Sequence, residues 1–198
     1  ADSLGAAERL ARAESKHILI IGAGTVASNL LDAYRAGFPN AQFNIWNRSP
    51  ERAQSLAKTR PDARAVTDLK AAIGSADIIC TSTMSTSPVL LGAWLQEGQH
   101  VDLIGAYRPD MREADDQALQ RARVFVDSFD TTLDHIGELK IPLSSGALRR
   151  TDVQADYYSE RGFQRGSERD ITLFKNGGGA HLDLMTARYI LQQWSSAA

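Results

Sequence analysis

The sequence predicts an α/β fold in which a doubly wound, mostly parallel sheet is flanked by helices. The first observation is an apolar run at residues 18–21, which is typical of a strand buried on both faces. That run leads into the glycine-containing segment 22–27 and then into a helical pattern. The second observation is that short apolar runs alternate with helical segments as far as residue 127, as in a doubly wound sheet.

Composition and charge limit the possible partners. The 198 residues are enough for one well-filled domain, and 22 basic against 24 acidic residues leave a net charge of −2. This balance argues against nucleic acid or a membrane surface as a partner, and no apolar stretch approaches the roughly 18 residues of a membrane span. The single cysteine, Cys80, cannot form an internal disulfide, so we expect a reducing, cytoplasmic compartment. No spacing of His, Cys or Asp predicts a metal site.

The segment after the first strand has the residues that a dinucleotide pyrophosphate requires. Gly22 permits a tight turn, Gly24 lets phosphate approach the backbone, and Ala27 is small enough for the helix to pack on the strand. The phosphates would lie at the helix N-terminus, where free N–H groups and the helix dipole favour anions. The strand before and the helix after favour this interpretation over a plain strand–helix turn. The predicted contacts are Gly22, Ala23, Gly24, Thr25 and Val26.

The end of the second strand predicts which dinucleotide binds. In a Rossmann unit the residue that closes this strand faces the adenosine ribose, and a carboxylate there bonds the 2′-hydroxyl and repels a 2′-phosphate. Asn47 stands at that position, followed by Arg48 and Ser49. Alone, Arg48 is typical of a solvated loop, but here its planar guanidinium and the Ser49 hydroxyl would suit a phosphate. The sequence therefore predicts NADP(H) in preference to NAD(H), bound through Asn47, Arg48 and Ser49.

The remaining elements follow from periodicity and from helix-capping residues. Asp68 is predicted as a helix N-cap, and Pro50 is well placed to open a helix. The predicted strands lie at residues 18–21, 42–46, 64–66, 77–80, 100–104, 124–127 and 171–174. The predicted helices lie at residues 2–14, 51–58, 69–73, 115–121, 128–139 and 180–194, in addition to the helix after the glycine turn; 146–150 is predicted as a turn or short helix and 152–163 as a polar segment.

Three polar loops follow predicted strands, at the edge where ligands bind in open α/β sheets. Thr81, Ser82, Thr83 and Met84 would bond ribose and nicotinamide, although a polar surface loop is the alternative. The loop after residues 100–104 contains Tyr107 and Arg108. Asn176 precedes three glycines, which allow close approach either to a ligand or to a neighbouring loop.

These segments also carry a resemblance to a known family. The motifs are IGAGTVA, IWNRSPERA, TSTMSTSPVL, VDLIGAYRPDMREADD, VFVDS and DITLFKNGGGAHLDL, and they are spread over the chain between residues 21 and 184. The motifs stand in the same order as in the ornithine cyclodeaminase/mu-crystallin family, which the sequence therefore resembles. The G-x-x-R-P-D-x-R-E and T-x-F-K-x-x-G segments are the most specific of them.

The resemblance implies a Rossmann cofactor domain joined to a second domain that binds an imino or amino acid substrate and forms a homodimer. It implies that residues 1–16 are a helix remaining from the second domain, that 17–170 are the cofactor-binding domain, and that 171–198 return to the second domain. The family's active-site lysine and its carboxylate-binding residues would come from a part of the second domain that this chain lacks. Asn176 and Gly177 would lie near the nicotinamide.

Two departures within the family bear on chemistry. Cyclodeaminases and related alanine dehydrogenases carry an aspartate where this sequence has Tyr107, and Asn47-Arg48-Ser49 is similar to the NADPH-using mu-crystallin side. We therefore expect an NADPH-dependent reductase of a cyclic ketimine, Δ1-pyrroline-2-carboxylate or Δ1-piperideine-2-carboxylate, with Tyr107 as catalytic residue and Arg108 facing substrate. The alternatives are an ornithine cyclodeaminase (an ammonia-lyase) or amino-acid dehydrogenase using NAD(H), and a non-catalytic NADP-dependent binder of a small ligand.

Overall fold

The computed structural model describes residues 2–197, which form one eight-stranded sheet with helices on both faces. The strands are β1 His17–Ile21, β2 Gln42–Trp46, β3 Ala63–Ala65, β4 Ile78–Thr81, β5 His100–Leu103, β6 Arg123–Val126, β7 Val153–Ala155 and β8 Thr172–Lys175. The helices are α1 Asp2–Leu10, α2 Thr25–Gly37, α3 Pro50–Lys58, α4 Leu69–Ser75, α5 Asp116–Arg121, α6 Phe129–Thr132, α7 Gly137–Ser145 and α8 Ala180–Ala197, with 3-10 turns at Gly92–Trp94 and Arg150–Asp152.

The sheet confirms the predicted fold class. Its order is β3-β2-β1-β4-β5-β8-β6-β7, and every pair of neighbouring strands is parallel. One apolar layer packs α4, α5 and α7 on one face, and a second layer packs α1, α2 and α3 on the other. The chain order reverses direction between β1 and β4, which is where open α/β sheets bind ligands.

The register of the central strands places their following loops at one level. Ile21 at the end of β1 lies opposite Trp46 on β2 and Thr81 on β4. Leu103 at the end of β5 lies opposite Thr81 and, on its other side, Lys175. The residues that follow these five strands therefore leave the sheet side by side.

Local signals in the sequence are confirmed where their partners are close in the chain. Asp68 caps α4, because its side chain accepts a hydrogen bond from the Ala71 amide at 3.0 Å. Pro50 occupies the first turn of α3. No helix of the described residues combines the length and apolar character needed to cross a bilayer.

The prediction of one helix over residues 128–139 is wrong. The structure has two short helices, α6 and α7, separated by residues 133–136. Ile136 is extended there, and the next amide, of Gly137, donates to the Arg108 carbonyl at 2.9 Å. A buried contact with a distant loop thus outweighs helix propensity.

The polar segment 152–163 contains a strand that periodicity did not indicate. This strand, β7, has only three residues and pairs with β6 at the edge of the sheet. Val153 and Ala155 face the core and Gln154 faces solvent, so the alternation is too short to be recognised from sequence.

The last strand lies inside the sheet, although the predicted domain boundary at residues 170/171 places it apart. β8 pairs with β5 on one side and β6 on the other, and its four residues are buried. Helix α1 also packs on this region, where Ala6 and Leu10 contact Phe125 and Phe174. Helix α1 and strand β8 therefore both complete the core of the described fold.

A buried carboxyl group lies beneath α1. Asp102 on β5 has no exposed surface, and the Tyr34 hydroxyl lies 3.3 Å from both its Oδ2 and the Ser3 carbonyl oxygen. Burial disfavours the charged form and raises the pKa of Asp102 to about 7. Since an unfolded aspartate ionises near pH 4, the native state retains a proton that the unfolded chain releases between about pH 4 and 7.

This difference predicts that Asp102 lowers the stability of the native state as pH rises. In Asp102→Asn, the side chain cannot ionise, so the free energy of unfolding should decline less between pH 5 and 8 than in the wild type, by about 2–3 kcal/mol. Urea unfolding of both proteins at the two pH values measures this difference. An identical pH dependence in the two proteins would contradict the assignment.

Candidate functional site

A cleft opens at the carboxyl ends of β1, β2 and β4, at the switch point of the sheet. Its volume is about 500 Å³. It brings together many of the residues predicted to bind cofactor, from three separate loops. The predicted residues in its lining are Gly22, Ala23, Gly24, Asn47, Arg48, Ser49, Ser82, Thr83 and Met84.

Glycine stands at two positions of the turn for different physical reasons. Gly22 has a φ of +128°, and a Cβ there would lie 2.6 Å from Ser82 Oγ and 2.9 Å from the Ser82 carbonyl oxygen. Glycine is therefore required by the fold itself at this position. Gly24 has a φ of −95°, and a Cβ there would meet nothing within 4 Å. The open space at Gly24 leaves room for a ligand beside the backbone.

Helix α2 begins directly after Gly24 with Thr25 and Val26, both exposed. No side chain caps its N-terminus, so its first N–H groups face the cleft side of the turn without a side-chain acceptor. An anionic group placed there would meet these donors and the positive end of the helix dipole. The turn, the open glycine and the uncapped helix together fit the predicted pyrophosphate.

The loop after β2 and the first turn of α3 present two arginines to the cleft. Asn47 Nδ2 donates to the Ser49 carbonyl oxygen at 3.1 Å, which folds the loop back on itself and leaves Asn47 Oδ1 available as an acceptor. Arg48 and Arg52 are exposed in the cleft lining, and no described residue forms an ion pair or hydrogen bond with either guanidinium. Sequence reasoning missed Arg52. Pro50 could have indicated this position, because a helix that starts at Pro50 places residue 52 in its first turn, beside the same loop.

The hydroxyl groups after β4 are not all free for a ligand. Thr81 is fully buried and donates to Glu113 Oε2 at 2.8 Å, so the structure places it beneath the cleft rather than in its wall. Thr83 lines the cleft, but its hydroxyl and its amide both donate to Glu113 Oε1, at 2.7 and 2.6 Å. Met84 is 70% exposed at the mouth of the cleft. The expected hydrogen bonds from Thr81 to ribose or nicotinamide are therefore not available.

Tyr107 and Arg108 lie at the tip of the loop that follows β5, outside the lining of the cleft. The Tyr107 side chain is 58% exposed, and the Arg108 guanidinium carbon lies 6.0 Å from the centre of its ring. Arg108 Nε and Nη2 pair with the two carboxylate oxygens of Asp110 at 3.0 and 3.2 Å. Since β5 neighbours β4, this tip shares the edge of the sheet with the cleft.

The closing glycine turn approaches protein groups. The amides of Gly177 and Gly178 donate to Asp127 Oδ2 at 2.9 and 3.0 Å, and a Cβ at Gly177 would collide with Thr132 Oγ1. Asn176 Nδ2 donates to Asp2 Oδ2 at 2.6 Å. The structure thus shows a close approach to a neighbouring loop at this turn, and the contact of Asn176 and Gly177 with the nicotinamide stays a prediction.

Beneath the cleft lies a buried group of opposite charges on β8 and α7. Lys175 Nζ donates to the carbonyl oxygens of Leu103 and Ala106, at 2.9 and 2.7 Å, and burial lowers the pKa of this lysine. Glu138 accepts from the amides of Glu113 and Ala114 at 2.7 and 2.9 Å. Burial raises the pKa of Glu138 to about 7. Among the described residues, no three His, Cys, Asp or Glu side chains are arranged to hold a metal ion.

Comparison with known protein families and curated proteins gives one consistent result. The model of the ornithine cyclodeaminase/mu-crystallin family matches residues 2–198. The chain is 52% identical to a Delta(1)-pyrroline-2-carboxylate reductase of Paracoccus denitrificans over 198 residues, which cover 96% of this chain and 63% of that protein. It is 34% identical to mouse ketimine reductase mu-crystallin, over 90% of this chain and 56% of that protein. The chain thus spans about three fifths of the length of these relatives.

Solved structures show the same fold. The Delta(1)-pyrroline-2-carboxylate reductase of Thermococcus litoralis, in complex with NADH and L-proline, superposes with a TM-score of 0.86 at 29% identity, over 94% of this chain and 60% of that one. An archaeal alanine dehydrogenase dimer with bound NAD gives a TM-score of 0.90 at 28% identity, over 99% and 62%.

Proposed function

The chain belongs to the ornithine cyclodeaminase/mu-crystallin family, and from that premise we propose that it binds NADP(H) and reduces a cyclic ketimine to the cyclic amino acid. Candidate substrates are Δ1-pyrroline-2-carboxylate and Δ1-piperideine-2-carboxylate. Two similarities support this class of reaction: the Paracoccus relative is named for reduction of the first compound, and the Thermococcus structure holds NADH and L-proline.

The cleft supports the proposed cofactor. When bound, NADPH supplies the hydride, and the protein supplies binding, orientation and electrostatics. Gly24 and the first amides of α2 bind the pyrophosphate, and Arg48 binds the 2′-phosphate with Arg52 beside it. Both guanidinium groups are free of protein partners among the described residues, so binding a phosphate breaks no ion pair of the fold.

The observation that carries the reaction type is the loop after β5. Tyr107, whose side chain is a phenol and not a carboxylic acid, stands at the tip of this loop. The acid nearby, Asp110, is paired with Arg108. Reduction of a C=N bond requires only that the ring nitrogen carry a proton, which the Tyr107 hydroxyl can support by donating a hydrogen bond. Elimination of ammonia from ornithine also requires a general base, for which a phenol is poorly suited at neutral pH.

We also propose that helix α8 packs on a second domain or a second subunit. Its exposed side chains include large apolar groups, which in water would favour burial against another surface. These are Leu184, Met185, Tyr189, Ile190, Leu191 and Trp194.

The reaction is tested with the full-length protein and its Tyr107→Phe and Tyr107→Asp variants. We expect the wild type to consume NADPH with the cyclic imine, seen as loss of absorbance at the nicotinamide band, and to release no ammonia from ornithine. Tyr107→Phe keeps the ring and removes the donor, so it should lower kcat about tenfold or more if the hydroxyl assists the imine nitrogen. Robust ammonia release by the wild type would contradict reduction as its activity, and Tyr107→Asp shows whether a carboxylate at this position introduces it.

Cofactor choice is tested by binding. Arg48→Ala removes a charge-assisted contact worth roughly 1.5–3 kcal/mol, so the Kd of NADPH should rise about tenfold or more while that of NADH stays nearly constant. Arg52→Ala should act in the same direction with a smaller effect. Gly24→Val is the control: its side chain would occupy the open space above the turn, so it should weaken the binding of both nucleotides. Equal losses for both nucleotides in Arg48→Ala would rule out a 2′-phosphate contact.

A further inference from the structure

The buried carboxylate of Glu113 lies under the cleft and accepts hydrogen bonds on both oxygens. Glu113 has no exposed surface. Its Oε1 accepts from the Thr83 amide and hydroxyl, and its Oε2 accepts from the Thr81 hydroxyl at 2.8 Å. Oε2 also lies 2.7 Å from the Gly105 amide and 3.3 Å from the Ala106 amide. Because burial of an unpaired carboxylate is costly, these donors stabilise the buried side chain, and the same hydrogen bonds hold in place the loops that carry the donors.

The donors belong to two different loops. Thr81 ends β4 and Thr83 lies in the loop that follows, which lines the cleft, whereas Gly105 and Ala106 begin the loop after β5, which carries Tyr107. The loops touch directly, since a Cβ at Gly105 would collide with the Thr83 backbone. The Glu113 side chain thus joins two loops at the point where they leave the sheet.

The backbone around Glu113 holds the other end of the cleft loop. The Glu113 carbonyl oxygen accepts from the amides of Val89 and Leu90, at 2.8 and 2.9 Å. The amide of its neighbour Arg112 donates to the Ser85 carbonyl oxygen at 2.9 Å. The wall formed by residues 82–89 is therefore fixed at its start by the Glu113 side chain and at its end by the Glu113 backbone.

Glu113 is itself held from below. Glu138 on α7 accepts from the Glu113 amide, and Lys175 on β8 donates to the carbonyl of Ala106. The lysine places a positive charge beside the buried acids, which offsets part of the cost of burying them. The sequence offers no local signal for this arrangement, since Thr81 and Glu113 are 32 residues apart.

Resting on the proposed function, we propose that Glu113 is a positioning residue that couples the cofactor-binding wall at residues 82–89 to the Tyr107 loop. Because its side chain is fully buried, Glu113 acts through the two loops that it holds. Its carboxylate sets the relative position of Thr83, on the cofactor side, and of the backbone that carries Tyr107, on the substrate side.

The test pairs Glu113→Gln with Gln99→Glu. In Glu113→Gln the amide nitrogen replaces an acceptor and faces N–H donors. Gln99 is a buried side chain at the opposite end of β5, where its Nε2 donates to the carbonyls of Ile73 and Ala76, both at 2.7 Å. Gln99→Glu is the reverse isosteric change and creates a matched clash far from the cleft.

Two readouts are measured well below the Tm of each variant. The first is chymotrypsin cleavage after Tyr107 relative to cleavage after Tyr158, which is also exposed but lies in another loop. The second is the Kd of NADPH and of NADH. Glu113→Gln should raise relative cleavage at Tyr107 and both Kd values by about tenfold or more, because both loops lose hydrogen bonds to the side chain at position 113. Gln99→Glu should lower the Tm and leave both readouts within about threefold.

Thr81→Val provides a milder variant in case Glu113→Gln does not fold. It removes one hydrogen bond to Glu113 from a buried residue outside the cleft, and it should raise both Kd values about threefold. A loss of Tm with both readouts unchanged, or equal effects of the two isosteric variants, would overturn the positioning role. A wild type that binds neither nucleotide would overturn the proposed function instead. In that case, relative cleavage after Tyr107 would still show whether Glu113 holds the Tyr107 loop in place.

Discussion

The parallel direction of all eight strands is the constraint on which the rest of the structure depends. Parallel strands deliver every following loop to the same edge of the sheet, and the register of β1, β2, β4 and β5 brings those loops to one level. The cleft exists at this edge because the chain reverses direction between β1 and β4. The glycine turn, the two arginines after β2 and the Tyr107 loop become neighbours for this reason alone.

Crowding several loops at one edge creates polar groups that water cannot reach. Loop amides and hydroxyls that are buried must find acceptors within the protein. The structure supplies carboxylates: Glu113 for the loops after β4 and β5, Glu138 for the backbone of Glu113, and Asp127 for the glycine turn after β8. Each buried acid joins segments that are distant in the chain. The result is a site whose shape is determined by the protein before any ligand enters it.

How far the sequence predicts this site depends on how local each interaction is. The turn around Gly22 and Gly24 was predictable, because strand, turn and helix are adjacent and glycine has few other reasons to recur at that spacing. The position of Arg48 in the cleft lining was predictable from its place at the end of a strand. The family assignment was also confirmed, since its motifs lie in these same strand-end segments.

Several features that sequence reasoning missed depend on partners that are distant in the chain. Glu113 was only one residue of a motif, because its donors Thr81 and Thr83 lie 32 and 30 residues earlier in the chain. The interruption of the helix over residues 128–139 depends on the bond from the Gly137 amide to Arg108. A hydroxyl at a strand end can bind either a ligand or the protein, and only the position of Glu113 shows that the Thr81 hydroxyl binds the protein.

Amide hydrogen exchange of the cofactor-free protein tests most directly whether buried carboxylates preform the cleft. The amides of Thr83, Gly105 and Gly177 each donate to one of these acids. If the site is fixed by the protein alone, these amides exchange within about tenfold of the core amides of β4 and β5, and NADPH changes their rates little. Exchange near the rate of an unfolded chain, with protection appearing only after NADPH is added, would contradict the account.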